Sequence, residues 1–522
     1  MIARGARIEL TSGVLHDWLA RAAAQSPDAI AVVAGPRSLT YAELMARAHA
    51  LASALAQRGV QSADRVLIFG DNTLETVVGF WAVLSAGATA VIVSPLARAD
   101  RISYLLADTR ASALLTAAAL APAFVEPARA AAALKTVVVA DALPAETLAT
   151  LPGGVAWEDA ERAVAAGWTP PSVDRDALAA IIYTSGSTGL PKGVMHSHRT
   201  MGAAVESIVA YLELRPSDVV LGALPLAFGY GLLQVLASVS LGARLVLERG
   251  FAFPAHVLGR IAAERVTCVA AVPSVFTLLG GIQSDADVSA VRIVTNAAAP
   301  LNARQAELAT KLFPAARFFS MYGQTECLRG TYLPPASPAD KAMSIGIPIP
   351  NCDAWLVDEL RQPVVAGETG QLVLSGPHVM LGYWERADAS AAKLQPGERA
   401  DERVLFTGDL ARFDEDGFLY FVSRTDDIIK SRGEKVSPKE VEAAVAELPG
   451  VREAAVIGVD DELLGQAVKA FVVLEPGTTL NAREVQRHCQ ARLEGYMVPK
   501  HVVFIADLPR TSNGKVARHE LR

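Results

Sequence analysis

Short apolar runs alternate along the chain with longer segments in which apolar residues recur at helical spacing. The spacing across Leu15–Ala22 predicts a helix, and the run Ala29–Val33 that follows predicts a strand. The same order returns in a strand at Arg65–Phe69, a helix around Ile102–Ala107 and a strand at Ala113–Leu115. Because strands that alternate with helices form parallel sheets covered by helices, this rhythm predicts an α/β fold.

One uncharged segment, Val77–Ala97, raises the question of a membrane span. Gly87 and Pro95 interrupt it, so a buried helix ending near Gly87 and a strand at Ala90–Val93 explain it better. The charged N-terminus, Met1–Leu10, is not a secretory signal. We therefore expect no membrane-spanning segment.

Residues 117–175 are rich in alanine with scattered proline and glycine, and we expect them to cross the surface. Beyond them, the helix predicted at Met201–Tyr211 and the strands at Val219–Ala223 and Cys268–Val272 continue the alternation. A helix at Pro438–Leu448 opens a C-terminal group of elements. This group continues with strands at Val451–Val459 and Ala467–Leu474 and a helix at Ala482–Leu493.

The size and composition narrow the class of protein. A chain of 522 residues is too long for one compact core and predicts at least two domains. Its 51% hydrophobic and 20% charged residues are typical of α/β enzymes, and a net charge of −7 argues against a nucleic-acid-binding role. The cysteines lie far apart without CxxC spacing, which favours a reducing cytoplasm over disulfides or a zinc site; they are Cys268, Cys327, Cys352 and Cys489.

The segment Ile181–Gly193 has the composition of a polyphosphate-binding loop. Apolar residues that end a strand lead into TSGSTGLPKG, where glycines let backbone N–H groups approach an anion and hydroxyls add further donors. It lacks the Gly-Lys-Ser/Thr order of a Walker A loop and the G-x-S-x-G elbow of hydrolases. A flexible Ser/Gly-rich turn is the structural alternative. The predicted phosphate-binding residues are Thr184, Ser185, Gly186, Ser187, Thr188, Gly189 and Lys192.

A second candidate motif is Tyr322–Glu326, with the sequence YGQTE. Tyr322 offers a face for stacking on adenine, and Thr325 offers a hydroxyl to a phosphate. Glu326 offers the hard oxygen ligand that Mg²⁺ prefers. Such a short motif is weak evidence by itself.

The two motifs occur in the same order as in the adenylate-forming superfamily, which the chain resembles over nearly its whole length. This superfamily includes acyl-CoA synthetases, aryl-CoA ligases, peptide-synthetase adenylation domains and luciferases. Phe406–Leu410 and Leu508–Arg518 match further family motifs, and Ser344–Pro348 and Gly382–Trp384 match two that are chiefly structural. The resemblance implies a large N-terminal domain of helix-covered mixed or parallel sheets, residues 1–425, and a small mobile C-terminal α/β domain, residues 426–522.

The resemblance also implies roles for single residues. Asp409 accepts hydrogen bonds from both ribose hydroxyls of ATP, and Arg424 contacts phosphate or ribose. Asp426 is the hinge of the small domain. Lys515 bridges the substrate carboxylate and the α-phosphate, with Mg²⁺ on Glu326; Thr184, Glu326 and Lys515 are the implied catalytic residues.

The acid-binding pocket is implied by two further segments. Phe228, with Tyr230, falls at the position that gates the acyl pocket in the family, although an ordinary apolar core explains the surrounding residues equally well. Asn296, Ala297 and Ala298 fall on the loop that runs along adenine and lines the acyl pocket. The family usually has glycines there, so this departure leaves the shape of the pocket open. No carboxylate lies beside Phe228 to hold a substrate ammonium.

The acceptor site is implied by Lys430, Arg432 and Gly433, which match the family's thiol-binding face, with Lys435 and Lys439 close in sequence. A solvated charged turn is the alternative. The resemblance implies an AMP-forming ligase that joins a carboxylic acid without an α-amino group to CoA. A ligase that loads the phosphopantetheine of a carrier protein in trans is the first alternative. A non-catalytic nucleotide-binding homologue is the second, and the joint presence of four residues argues against it: Glu326, Asp409, Arg424 and Lys515. The sequence does not indicate an oligomeric state.

Overall fold

A computed structural model describes the whole chain except residues 12, 164, 166, 185–190, 298–300, 302, 398–401, 432–433, 462–463, 511–515 and 522. The strands of the described residues form four sheets. Two are large and mainly parallel, one is antiparallel, and one is built from C-terminal residues alone. The predicted α/β class, with a large domain followed by a C-terminal domain, is confirmed.

The first large sheet carries the strand that ends at Thr184. Five strands continue from it in parallel. On its other side Lys192–Ser197 runs antiparallel to it, and Gly382–Tyr383 runs antiparallel to Lys192–Ser197. The spatial order is Gly382–Tyr383, Lys192–Ser197, Leu178–Thr184, Thr89–Val93, Arg65–Phe69, Ala113–Ala117, Thr136–Ala140 and Val155–Ala156.

The second large sheet carries the strand that ends at Tyr322. Its order is Ile347–Pro348, Thr331–Leu333, Arg317–Tyr322, Ile293–Asn296, Cys268–Ala271, Val219–Gly222, Arg244–Leu247, Ile30–Ala34 and Arg37–Thr40. The antiparallel sheet contains Ile2–Arg4, Asp353–Val357, Thr369–Gly376, Arg403–Phe413, Leu394–Pro396 and Leu419–Arg424. The C-terminal sheet contains Glu434–Val436, Ile429–Ser431, Gly465–Leu474, Val451–Asp461 and His501–Phe504.

Helices cover the faces of these sheets. In the N-terminal part they are Leu15–Gln25, Tyr41–Gln57, Leu74–Ser85, Ala99–Thr109, Ala121–Ala130, Ala145–Ala149, Trp157–Arg162, His198–Leu212, Gly229–Leu241, Pro254–Ala263, Pro273–Gly280, Ala303–Leu312 and Ala387–Lys393. The C-terminal part adds Pro438–Ala446 and Ala482–Gln490. Short 3₁₀ turns lie at Ala118–Leu120, Ala339–Lys341, Thr425–Asp427 and Arg518–Leu521.

The largest core lies between the two large sheets, where the helix Leu74–Ser85 packs against both. All its residues except Glu75 are buried, because a helix that is apolar on every side belongs inside a large domain. The strand Thr89–Val93 follows it, so the buried-helix interpretation of the uncharged segment is confirmed. Among the described residues, no helix is both long and apolar enough for a membrane span.

The expectation that residues 117–175 only cross the surface is wrong. Thr136–Ala140 is a fully buried strand of the first large sheet, and the helix Ala121–Ala130 packs against the helix Ala99–Thr109. The sequence TVVVA at this strand has the β-branched run that buried strands favour. The prediction missed this strand because the residues around it are rich in alanine.

Candidate active site

The predicted phosphate loop connects two antiparallel strands. Thr184 ends one strand, Lys192 begins the next, and the two residues are direct cross-strand partners. The side-chain oxygen of Thr184 lies 3.5 Å from the carbonyl of Lys192. The ammonium group of Lys192 lies 5.5 Å from the ring centre of Tyr383. The register therefore places both ends of the loop together, while residues 185–190 lie outside the described residues.

Asp108, on the helix Ala99–Thr109, holds the strand before this loop. The hydroxyl of Tyr183 donates to its carboxylate, and Arg386 donates to the other carboxylate oxygen at 2.9 Å. The indole of Trp384 donates to the carbonyl of Asp108 at 2.9 Å. Burial and the bond to Asp108 raise the pKa of Tyr183, so its hydroxyl stays protonated and remains a donor.

Glu326, the candidate Mg²⁺ ligand, receives a 2.7 Å hydrogen bond at Oε1 from the hydroxyl of Tyr383. Burial and the neighbouring Glu326 raise the pKa of Tyr383, which keeps this donor protonated. The backbone N–H of Met380 donates to the carbonyl of Glu326 at 2.8 Å. The Gly382–Trp384 motif, expected to be chiefly structural, therefore also contacts a candidate catalytic residue.

His196 contacts the backbone of Thr325, the residue before Glu326 in the YGQTE motif. Its Nε2 lies 2.8 Å from the carbonyl oxygen of Thr325, and its Nδ1 lies 3.1 Å from the hydroxyl of Thr200. Because a carbonyl only accepts, Nε2 carries the proton and Nδ1 accepts from Thr200. Burial lowers the pKa of His196 to about 4, so the ring is neutral near pH 7.

The carboxylate of Asp409 lies at the centre of a polar cluster. At Oδ2 it accepts hydrogen bonds of 2.6 Å from the hydroxyl of Tyr322 and 2.6 Å from the amide of Gln324. Arg424 is its cross-strand partner, and Nε of Arg424 lies 3.3 Å from Oδ1. Oδ1 is buried and receives no aligned hydrogen bond from the described residues. The cluster therefore leaves one carboxylate oxygen able to accept from a ligand.

Two glycines make this arrangement possible. Gly408, immediately before Asp409, has φ +75°, a conformation that favours glycine. At Gly323 a Cβ would lie 2.9 Å from Cα of Arg329, so the turn after the second motif closes on the glycine. Burial, followed by the charge of Asp409, raises the pKa of Tyr322, whose ring therefore remains a neutral hydroxyl donor.

The predicted pocket residues lie where helix and strand meet. Phe228 directly precedes the helix Gly229–Leu241 and Tyr230 is the second residue of that helix. The hydroxyl of Tyr230 lies 2.6 Å from that of Thr295. Asn296 and Ala297 follow Thr295 and are buried. Phe228 and Tyr230 are half-buried. Ala298 lies outside the described residues.

Asn72 holds the loop that leads to Phe228. Its amide nitrogen, with two N–H donors, lies 3.0 to 3.3 Å from three carbonyl oxygens, those of Gly222, Leu224 and Glu248. Its oxygen accepts from the backbone N–H of Leu226 at 3.1 Å. One buried side chain thus joins the first large sheet to the pocket loop of the second.

Three of the C-terminal candidates, Arg432, Gly433 and Lys515, are outside the described residues. Asp426 lies in the 3₁₀ turn Thr425–Asp427, directly after Arg424 and before the C-terminal sheet. Lys430 is exposed, whereas Lys439 forms a 2.9 Å ion pair with Glu442. Of these two lysines, Lys430 is therefore the exposed one.

The described residues contain no cluster of three metal-ligating side chains. Mg²⁺ bound to nucleotides usually takes one or two protein carboxylates and several phosphate oxygens, so Glu326 alone is compatible with it. Two cavities, of about 380 and 640 Å³, lie away from Asp409. The larger is lined by residues of the C-terminal part, including Arg483, Arg487 and Lys500.

Sequence reasoning identified Tyr322, Glu326 and Asp409, and the structure brings Tyr322 and Asp409 into direct contact. It missed Gln324, although this residue lies inside the YGQTE motif. It also missed His196 and Asn72, whose partners are distant in sequence. The polar run His196–Arg199, directly after the phosphate loop, was the available signal for His196.

Comparison with known proteins identifies the family. The AMP-binding enzyme family matches residues 19–384, and the AMP-binding enzyme C-terminal domain matches residues 440–515. A feruloyl-CoA synthase of Amycolatopsis sp is 35% identical over 515 residues, which cover 97% of this chain and 98% of that protein. A linear gramicidin synthase of Brevibacillus parabrevis is 33% identical over 97% of this chain, which spans only 6% of that protein.

Solved structures agree with this assignment. The crystal structure of an anthranilate CoA ligase in complex with anthranoyl-AMP has a TM-score of 0.88 and 27% identity, over 99% of this chain and 97% of that chain. The chain therefore belongs to the family of AMP-binding enzymes, and it is an AMP-forming ligase of the acyl- and aryl-CoA ligase kind.

Proposed function

We propose that the chain uses ATP to convert a small carboxylic acid without an α-amino group into an acyl-adenylate and then transfers the acyl group to the thiol of CoA. The observation that carries this proposal is the cluster of Tyr322, Gln324 and Asp409. It leaves Oδ1 of Asp409 buried and without an aligned donor. A ribose hydroxyl would supply that donor, and a carboxylate that accepts from both hydroxyls of a diol selects a nucleoside.

In the first half-reaction, an oxygen of the substrate carboxylate bonds to the α-phosphorus of ATP while the bond to the β-phosphate oxygen breaks. Pyrophosphate leaves and an acyl-adenylate remains. Such an in-line transfer depends mainly on positioning and on neutralising charge. We assign the phosphates to the loop between Thr184 and Lys192, and the charge that develops on the α-phosphate to Lys515. Mg²⁺ on Glu326 would neutralise phosphate charge when bound.

In the second half-reaction, the thiolate bonds to the acyl carbon and AMP leaves with the electron pair of the broken carbon–oxygen bond. We propose that the chain divides into residues 1–425 and 426–522 and that the smaller part turns about Asp426 between the steps. In support, the C-terminal sheet shares no described strand with the other sheets. The rotation would withdraw Lys515 and present Gly433 to the thiol, with Lys430 and Arg432 beside it.

The acid is proposed to lack an ammonium group because the gate region offers no anion to hold one. Ala227 and Phe228 occupy the loop before the helix Gly229–Leu241, and residues 224–231 include no Asp or Glu in the sequence. An unpaired buried ammonium costs several kcal/mol, on the order of 3–5 when one partner of a buried pair is missing. An aliphatic or aryl acid of modest size fits better.

Free CoA is the favoured acceptor over a carrier protein that acts in trans. CoA carries a diphosphate and a 3′-phosphate, so its site needs several cations. The cavity of about 640 Å³ beside Ser431 is lined by Arg483, Arg487 and Lys500, and Ser431 directly follows Lys430. The feruloyl-CoA synthase, which the chain matches over nearly its full length, supports the same choice.

Pyrophosphate exchange across a panel of aliphatic, aryl and amino acids tests the first half-reaction. We expect ATP-dependent exchange with acids that lack an amino group. Robust exchange with a proteinogenic amino acid and none with simple acids would refute the proposed substrate class. Nucleotide binding without exchange for any acid would favour the non-catalytic alternative.

A second assay decides the acceptor. The enzyme, ATP and the best acid are incubated with CoA or with a set of carrier proteins that bear phosphopantetheine. Formation of the acyl-CoA thioester is expected. Saturable transfer to a carrier protein, with CoA inert at millimolar concentration, would overturn the CoA assignment and establish the alternative.

A further inference from the structure

Arg329 is a buried cation without an anionic partner in the described part of the chain. The residue is only 3% exposed, no described carboxylate lies within ion-pair distance of its guanidinium, and its buried Nε has no hydrogen-bond partner. The other buried Asp, Glu and Lys side chains all lie beside an opposite charge; they are Asp218, Lys341, Asp409 and Glu442. Arg329 differs from these four residues because it has no such neighbour among the described residues.

The guanidinium lies at the predicted acid pocket. Its central carbon is 5.0 Å from the ring centre of Tyr230, one of the residues assigned to the pocket from the sequence. Burial raises the pKa of Tyr211 to about 12, and the charge of Arg329 opposes that rise, which places the guanidinium close to this second tyrosine as well. Two tyrosine side chains therefore lie close to the guanidinium, and one of them, Tyr230, is two residues beyond the half-buried Phe228.

The backbone explains how Arg329 reaches this position. Leu328 adopts a left-handed conformation, with φ +57°, directly after the YGQTE motif. The turn packs Cα of Arg329 against Gly323, and Leu328 against Gly229 at the start of the pocket helix. Glu326 and Arg329 are only three residues apart. The segment that places the catalytic carboxylate thus also places the buried cation.

Tyrosine rings compensate a buried guanidinium only in part, because their attraction for the cation is weaker than the cost of removing the cation from water. Arginine remains protonated in proteins, so the charge persists. Its planar group binds carboxylates through two parallel hydrogen bonds. An anion that enters the pocket with the ligand would complete the compensation.

We propose that the acid substrate carries a second carboxylate, at the end away from the reacting one, and that Arg329 binds it. This inference rests on the proposed function, because it assigns one end of a dicarboxylic acid to adenylation and the other to Arg329. The second carboxylate does not react. Arg329 is then a specificity-determining residue, and Tyr230 packs against the guanidinium that holds the ligand.

The alternative is that Arg329 is only structural and holds Tyr230 in place. Pairs of substrates that differ only in the far carboxylate distinguish a ligand-binding role of Arg329 from a structural role. Straight-chain dicarboxylates from succinate to suberate are compared with the monocarboxylates in which a methyl group replaces the far carboxylate. Terephthalate and 4-methylbenzoate form the aryl pair. The rate of pyrophosphate exchange gives kcat/KM for each acid.

We expect native enzyme to prefer the dicarboxylate of the best pair by roughly 10²-fold or more, as a site built for a polar group rejects an analogue that lacks it. Arg329→Met should lose that preference, mostly through KM for the dicarboxylate, while the methyl analogue changes by less than about 3-fold. Arg329→Lys should keep part of it, since the charge remains but the bidentate geometry is lost. Arg317→Met is the matched control, because Arg317 also lies over an aromatic ring, Phe319, but forms a 3.0 Å ion pair with Glu213.

Equal or better use of the methyl analogue by native enzyme would overturn the inference, whatever the variants do. Equal loss of both substrates in Arg329→Met, with an unchanged ratio, would assign Arg329 a structural role. Absence of exchange with every acid of both series would instead count against the proposed function. Circular dichroism and melting temperature check the fold of each variant, and the native preference decides if Arg329→Met does not fold.

Discussion

The hydroxyl of Tyr383 donates a 2.7 Å hydrogen bond to Oε1 of Glu326, so a tyrosine from a short edge strand orients the candidate metal ligand. Groups that orient a metal ligand typically contribute 10–100-fold to metal affinity or activity. The ammonium of Lys192 faces the same ring. Tyr383 therefore connects the phosphate loop with the YGQTE motif.

Tyr383→Phe should raise the Mg²⁺ concentration for half-maximal exchange by roughly tenfold, because Glu326 loses the donor that holds it. A magnesium titration at saturating ATP and acid measures this. Tyr420→Phe is the control, since Tyr420 also faces a carboxylate, Asp414, but in a surface hairpin. An unchanged magnesium curve for Tyr383→Phe would show that the hydrogen bond does not serve the metal.

Asp409→Ala should raise KM for ATP by roughly 10- to 100-fold, the effect of losing hydrogen bonds to a charged group. The native enzyme should also use 2′-deoxy-ATP less well than ATP, and the variant should discriminate less. Steady-state kinetics with both nucleotides measure this. The exposed Asp416, changed to Ala, is the control. Retained discrimination in Asp409→Ala would contradict the assignment of Asp409 to the ribose.

Lys515→Ala should abolish adenylate formation while it spares thioester formation from supplied acyl-AMP. A loss on the order of 10²-fold or more is expected for a preorganised charge at the transition state. Pyrophosphate exchange and thioester release measure the two half-reactions separately. Lys311→Ala, at an exposed lysine paired with Glu307, should change neither. Near-normal exchange in Lys515→Ala would overturn the role of this lysine.

Asp426→Pro should show the opposite pattern, because proline fixes φ and restricts rotation at the proposed hinge. Adenylation should survive and thioester formation should fall steeply in the same pair of assays. Asp426→Ala leaves φ free and should keep both activities. If both half-reactions fell together in Asp426→Pro, the residue would be structural and not the pivot.

His378→Phe should make the fold less sensitive to acid. His378 is 1% exposed, neither ring nitrogen has a hydrogen-bond partner among the described residues, and burial lowers its pKa to about 3. In the unfolded chain a histidine takes up a proton near pH 6.5, so between these values the unfolded state binds more protons. Stability contributed by the neutral ring is present above that range and falls as pH is lowered through it, by about 1.4 kcal/mol per pH unit.

Denaturant unfolding at pH 7 and pH 5 measures this difference. From pH 7 to pH 5, His378→Phe should lose about 2 kcal/mol less stability than native protein, because one proton is no longer taken up on unfolding. His501→Phe, at an exposed histidine, should keep the native difference. Equal acid sensitivity of native protein and His378→Phe would contradict the prediction.

Local patterns were sufficient for many elements of the fold. The strand Arg65–Phe69 has the predicted bounds. The helix Gly229–Leu241 was missed, because its glycine- and tyrosine-containing start resembles a loop. Residues 117–175 were misjudged because alanine satisfies surface and core equally well.

In the candidate site, too, some residues were predictable from local sequence patterns and others were not. Tyr322, Glu326 and Asp409 lie in short motifs whose residue types already indicate their chemistry. His196 contacts Thr325, which lies 129 positions further along the chain. Arg329 contacts the ring of Tyr230, at the start of a helix that precedes it in sequence. No periodicity in a sequence records such a pairing, because folding alone brings these segments together.

The C-terminal sheet, built from residues 429–504, exchanges no described strand with the sheets that precede it. Arg329, Phe228 and Tyr230, which we assign to the acid, therefore lie on one side of a single chain crossing, and Lys430 lies on the other. On the proposed assignments, an exchange of the chain beyond residue 425 would replace the acceptor contact at Lys430 and leave the acid contacts at Arg329, Phe228 and Tyr230 in place. The choice of acid and the choice of acceptor could then change independently.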